Sequence, residues 1–239
     1  MNTLNYTLCK IVSAKVVKIP SKLFLYRTHL YWGEYIEGKG RKLIPHGEGK
    51  YKFGPFDRQH EIRGVWNYGS PSGNMRIIYA EAGVNYSGFV KQVYGDDNEI
   101  MYSRDGLGEL TLNDSEQMHE KRVIFGLWDG NRLKKKAQIE CFRRPTSKLP
   151  IWTYMGFVND KFEHHGDGKL FINLSSNPYT VVGKWENGIV VGDVEISYDS
   201  GASYNGQVNP LYYPHGRGTS KYKKGEEKFG IFSYGQLQT

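Results

Sequence analysis

Residues 62–69 read IRGVWNYG: an apolar residue, a glycine two places on, a tryptophan two places further, and a closing glycine. The frame returns as VVGKWENG at 181–188, and as IFGLWDGN from 124 with its last glycine displaced by one. It returns again as KFGIFSYG at 228–235, with Lys in the first place and Phe for Trp. A second frame opens on tyrosine: YWGEYIEG at 31, YSGFVKQV at 86, YMGFVNDK at 154 and YNGQVNPL at 204. The eight frames start at 31, 62, 86, 124, 154, 181, 204 and 228, and the two kinds alternate. Recurring self-similarity of this kind marks a repeat architecture.

Each tyrosine frame is followed by a glycine doublet: Gly47/Gly49, Gly106/Gly108, Gly166/Gly168 and Gly216/Gly218. A phosphate-binding glycine loop must open a helix. Here the doublets lead into KYKF, ELTL and KLFI, which are strand-like, so the glycines are read as turn residues of β-hairpins. Successive strand residues point to opposite faces. Trp66 and Tyr68 are therefore predicted to share one aromatic face, with the frame glycines letting strands pass close beneath the rings. A lone hairpin is marginal in water, so stacked neighbours must supply the stability.

Tyr-x-Gly-x-Trp/Tyr-x-x-Gly followed by Gly-x-Gly resembles the MORN (membrane occupation and recognition nexus) repeat, over roughly residues 31–239. The frames at 31, 86 and 124 carry insertions, and Lys135 stands where the doublet of the frame at 124 should begin. The resemblance implies an all-β fold, an elongated single-layer antiparallel sheet of tandem hairpins with about eight units. It also implies a non-enzymatic structural or scaffold role in protein–protein interaction and assembly. Residues 1–30 are expected to cap the array, with Val16–Ile19 and Leu23–Tyr26 as strands over the first hairpin's edge.

Glycine is 29 of 239 residues and tyrosine 18, a composition suited to short strands and tight turns. No apolar run approaches the ~20 residues of a membrane helix, and lysines interrupt the N-terminal hydrophobic pieces, so neither a transmembrane span nor a secretory signal is expected. Two cysteines, Cys9 and Cys141, are too few for a disulfide framework. The expected setting is intracellular, cytoplasmic or within a larger cytoskeletal, membrane-associated or viral assembly.

Net charge is +7, but it is uneven. Residues 1–30 hold five basic residues and no acid; residues 131–150 hold seven and one. The segment 131–150 is read as a basic insert, a loop outside the repeat frame, with Lys134, Lys135, Lys136, Arg143 and Arg144 as a candidate site for anions or acidic membrane lipid. An adaptor for acidic lipid is thus the alternative function. Nucleic acid is the weaker version of that reading, because only Phe142 and Trp152 supply aromatic interleaving.

His46, His165 and His215 occupy matching turns and are expected to bond turn carbonyls; lying on separate hairpins, they cannot share a metal ion. No catalytic, cofactor-binding or metal-ligating residues are assigned. The frame at 228 meets the last residue, Thr239, without a partner strand or doublet. An open edge carrying Ile231, Phe232 and Tyr234 is therefore expected to dock on a second copy or another protein.

Overall fold

A computed structural model describes residues 11–12, 30–39, 43–54, 57–81, 83–95, 100–113 and 120–238. The expected strands at Val16–Ile19 and Leu23–Tyr26 lie outside the described residues. The protein is all-β. Its strands are β1 (Ile11–Val12), β2 (Leu30–Glu37), β3 (Leu43–Phe53), β4 (His60–Asn67), β5 (Ser70–Ile78) and β6 (Val84–Tyr94). They continue as β7 (Ile100–Asn113), β8 (Lys121–Asp129), β9 (Arg132–Phe142), β10 (Trp152–Val158), β11 (His164–Ile172) and β12 (Tyr179–Glu186). The last are β13 (Ile189–Tyr198), β14 (Ser203–Val208), β15 (Pro214–Lys221), β16 (Glu227–Ser233) and β17 (Gln236–Leu237). Among the described residues no helix is long and apolar enough to cross a membrane.

Contacts divide the chain into two compact units: Met1–Thr111 with Trp128–Asn131, and Leu112–Leu127 with Arg132–Thr239. In the first, β1 to β6 pair antiparallel, each with the next in the chain. In the second, β9 to β17 do the same. Ile11–Val12 lie against Ile36 and Tyr35, so the outer edge of β2 is paired.

The two frames form one structural couple spread over three consecutive strands. The glycines lie in a row: Gly33–Gly49–Gly64 on β2–β4, Gly156–Gly168–Gly183 on β10–β12, and Gly206–Gly218–Gly230 on β14–β16. The opening tyrosine lies flat over the middle glycine. A Cβ built on Gly49 or Gly168 would fall 2.5 Å from the Cζ of Tyr31 or Tyr154, and Gly108 and Gly218 meet Tyr86 and Tyr204 in the same way. Each tyrosine hydroxyl donates to the carbonyl three residues on: Tyr31 to Glu34 (2.7 Å), Tyr86 to Phe89 (2.8 Å), Tyr154 to Phe157 (2.8 Å), Tyr204 to Gln207 (2.7 Å). Burial pushes all four hydroxyls up to about 12, which keeps them protonated as donors.

The ring of the second frame then meets the tyrosine edge to face. Centroids are 5.8 Å apart for Tyr31–Trp66, 5.9 Å for Tyr86–Trp128, 5.4 Å for Tyr154–Trp185 and 5.2 Å for Tyr204–Phe232, with interplanar angles of 78–86°. Edge-to-face pairing brings the positive ring edge onto the negative face. Trp66 and Trp128 also donate their indole N–H to the carbonyls of Gly49 (3.3 Å) and Gly108 (3.0 Å), so neither buried ring leaves its N–H unsatisfied.

Tyr68 does not share the face of Trp66. It is exposed and adopts φ 48°, ahead of Gly69 at φ 86°. Two successive positive φ values make a two-residue hairpin turn whose twist suits the flanking strands, and the turn carries Tyr68 out of the alternation. Asn187–Gly188 and Tyr234–Gly235 turn in the same way.

Candidate functional site

The residue pairs just ahead of three doublets, Pro45–His46, His164–His165 and Pro214–His215, answer to these turns. The carbonyls of Pro45, His164 and Pro214 each accept the turn-glycine amide of the following hairpin, from Gly69, Gly188 and Gly235, all at 2.8 Å. The next residue along supplies a second grip. His46 Nδ1 accepts the Tyr68 amide (3.4 Å), and His165 Nδ1 the Asn187 amide (3.5 Å), while the His215 ring packs on Tyr234 at 5.5 Å. His46 and His165 therefore receive turn amides rather than bonding turn carbonyls. An unprotonated ring nitrogen is an acceptor, which the amides require.

The basic segment is a loop only from 143 onward. Arg132–Phe142 form β9, whose residues Lys136–Cys141 pair with Trp152–Phe157 of β10. Ala137, Ile139 and Cys141 point into the core, and Gln138 and Glu140 point out. Lys135 takes φ 45°, where the frame calls for glycine, and is exposed. Lys136 lies opposite Phe157, with Nζ 4.9 Å from that ring's centroid. Arg143 and Arg144 are exposed just beyond the far end of the strand. At ~3.3 Å per residue, seven residues separate Lys136 from Arg143 by about 23 Å. The five cations thus form two clusters, not one pocket.

The C-terminal frame completes its hairpin. Phe232 and Ser233 of β16 pair with Leu237 and Gln236 of β17, and the Gln238 amide reaches the Ile231 carbonyl at 2.8 Å. Phe232 is buried against Tyr204, whereas Ile231 and Tyr234 are exposed. The expectation that this frame lacks a partner strand fails, because two residues suffice to turn back along β16, and of the three edge candidates Phe232 is withdrawn into the core. Cys141 is buried beside Glu120, and burial pushes its thiol up to about 12, which suits a packing residue. Cys9 lies outside the described residues.

Two features of the second unit remain as candidate sites. The first is the outer sheet face. Strand register places Gln138, Met155, Lys169, Val182 and Glu195 in one cross-strand row, and Glu140, Thr153, Phe171, Thr180 and Ser197 in the next. Met155, Phe171 and Val182 are 55, 40 and 43 % exposed. Phe125 and Phe157 join Met155, Lys136 and Lys169 around a shallow hollow over the glycine row. The second feature is an inner-face cleft of about 320 Å³, bordered by Arg122, Trp152, Phe162, His164, Ile172 and Tyr212 among others. Neither was visible as a motif, since the outer rows are set by register and the cleft by side chains from four separate segments.

No family model matches this chain, and no curated protein does either.

Proposed function

We propose that the protein is a non-enzymatic scaffold of the MORN-repeat kind, whose outer sheet face binds another protein. The observation that carries this reading is the pair of cross-strand rows on the outer face. They hold large apolar side chains in the open beside Lys136, Lys169 and Glu195. Such a surface joins an apolar centre to a charged surround, which is the composition of a protein–protein interface. The inner face supports the same reading, because tyrosine-over-glycine packing fixes the strands and so presents the rows without ordering on binding.

The lipid reading is weaker on this geometry. Lys134–Lys136 and Arg143–Arg144 stand at opposite ends of a strand rather than around one headgroup.

A photo-crosslinking amino acid placed at Met155 or Phe171, compared with one at exposed Glu226, tests the scaffold reading. Crosslinks to a protein at the first two positions, lost when the neighbour Val182 becomes Asp, are the expected outcome. Crosslinking equal at all three positions contradicts it. Flotation on acidic vesicles, lost on neutralising the five cations, would favour the lipid adaptor instead.

A further inference from the structure

The four couples share one frame but do not share one filling. In the first couple, the residues two and four places past the middle glycine Gly49 are Tyr51 and Phe53. Both are buried, and Tyr102 closes over them with centroids at 5.8 and 5.2 Å, and over Trp66 at 5.7 Å. In the third couple the same places past Gly168 hold Leu170 and Ile172. Tyr212 stands in the position of Tyr102, two residues ahead of the residue whose carbonyl grips the turn. There its hydroxyl accepts the Trp185 N–H at 3.4 Å. The smaller pair beneath it leaves the 320 Å³ cleft. The hollow is therefore built by side-chain choice and is not a property of the frame.

Its walls are held in place. Asn159 Oδ1 accepts the amides of Lys161 and Glu163 (both 3.0 Å), which fixes Phe162 at φ 61°. Asn209 Oδ1 accepts those of Leu211 (2.9 Å) and Tyr213 (3.0 Å), which fixes Tyr212 at the same φ of 61°. His164 stacks on Tyr154 at 3.8 Å and 11°, with Trp152 and Trp185 edge-on to it at 5.3 and 6.1 Å. Burial holds the His164 imidazole down to about 4, so it is neutral near pH 7.

The charges in the cleft are unequal in their commitments. Glu163 accepts Asn159 Nδ2 at 2.6 Å and belongs to the loop. Among the described residues, no carboxylate or hydrogen-bond acceptor engages the Arg122 guanidinium, and none engages the Trp152 indole N–H. An open guanidinium takes carboxylate or phosphate in a two-pronged grip. Rings on the walls and an aliphatic floor of Leu170 and Ile172 suit one planar ring system, and the volume lies near the lower end of ligand pockets.

We propose that this cleft binds a small planar aromatic anion, its ring between Trp152, Phe162 and Tyr212 and its charge on Arg122. The site is separate from the outer face, so it stands or falls independently of the scaffold reading.

The test titrates the full chain with 1-naphthoate and, in a parallel arm, 1-naphthyl phosphate, read by tryptophan fluorescence and saturation-transfer NMR. The tighter of the two identifies the anion. Neutral 1-naphthalenemethanol and non-planar cyclohexanecarboxylate serve as controls. Saturable binding is expected, at least tenfold weaker for both controls and for Arg122→Gln. Ile172→Phe, which puts back the bulk that Phe53 supplies in the first couple, should abolish binding while the melting temperature holds or rises. No saturable binding of either anion to the native chain overturns the proposal. So does undiminished binding in Ile172→Phe, or equally tight binding of the neutral alcohol.

Discussion

The first couple, β2–β5, and the third, β10–β13, are two versions of one object. Both place a tyrosine over a glycine, a tryptophan edge-on to the tyrosine, and a histidine on the next turn. They differ in what lies beyond the tryptophan: Tyr51, Phe53 and Tyr102 close the first, whereas Leu170, Ile172 and Tyr212 leave the third open. The lesson is that the repeated residues fix strand register and turn geometry, while unrepeated positions decide whether the inner face is solid or hollow.

The comparison breaks most readily at its tryptophans. Trp66→Ala should cost about 3–5 kcal/mol in chemical denaturation, as a fully buried ring with three aromatic neighbours is removed. Trp185→Ala should fall at the lower end of that range, because the cleft beside it already lacks packing atoms. Equal losses would show that the hollow has no energetic consequence.

Acid should weaken the third couple most, because burial lowers His60 of the first couple too but holds His164 further down. His164 is held down to about 4, below its ordinary 6.5, by burial alone. Below pH 6.5 the unfolded chain takes up a proton that the folded chain refuses, so stability present above 6.5 is lost as pH falls towards 4. The loss amounts to about 2–3 kcal/mol. Melting curves at pH 7 and pH 4.5 should diverge less in His164→Phe than in the native chain. The same divergence in both would remove the assignment.

Filling the cleft sharpens the contrast in the other direction. Ile172→Phe should stabilise by about 0.5–2 kcal/mol. A loss instead would mean that the cleft is closed to a ring. The smallest effect is expected at a turn: Tyr68→Asn relieves a bulky residue at φ 48° but forfeits the 5.1 Å His46–Tyr68 contact. The net change should stay within about 0.5 kcal/mol by thermal melting.

Much of this was legible in the chain. The alternation of tyrosine and tryptophan frames maps onto the couples, and the doublet glycines lie where the rings need space. The strand β9 carried a signal that its lysines obscured: Ala137, Ile139 and Cys141 alternate with Gln138 and Glu140, a period of two. Tyr234–Gly235 likewise matches Asn187–Gly188 and announced a turn before Gln236–Leu237. Tyr68 was placed inward because strand alternation was carried one residue into the turn. The cleft had no such signal. It depends on the sizes of Leu170 and Ile172 relative to Tyr212, some forty residues on, and on an arginine whose neighbours are chosen by folding.

The central claim is that the tyrosine ring and the glycine beneath it act as one device. A double-mutant cycle on Tyr154 and Gly168, followed by chemical denaturation, measures it most directly. Gly168→Ala in the native background should destabilise by about 1–3 kcal/mol or more, since the new Cβ enters the ring. With Tyr154→Ala already in place the same change should cost far less, giving a coupling above about 1 kcal/mol. Additive effects of the two substitutions would contradict the account.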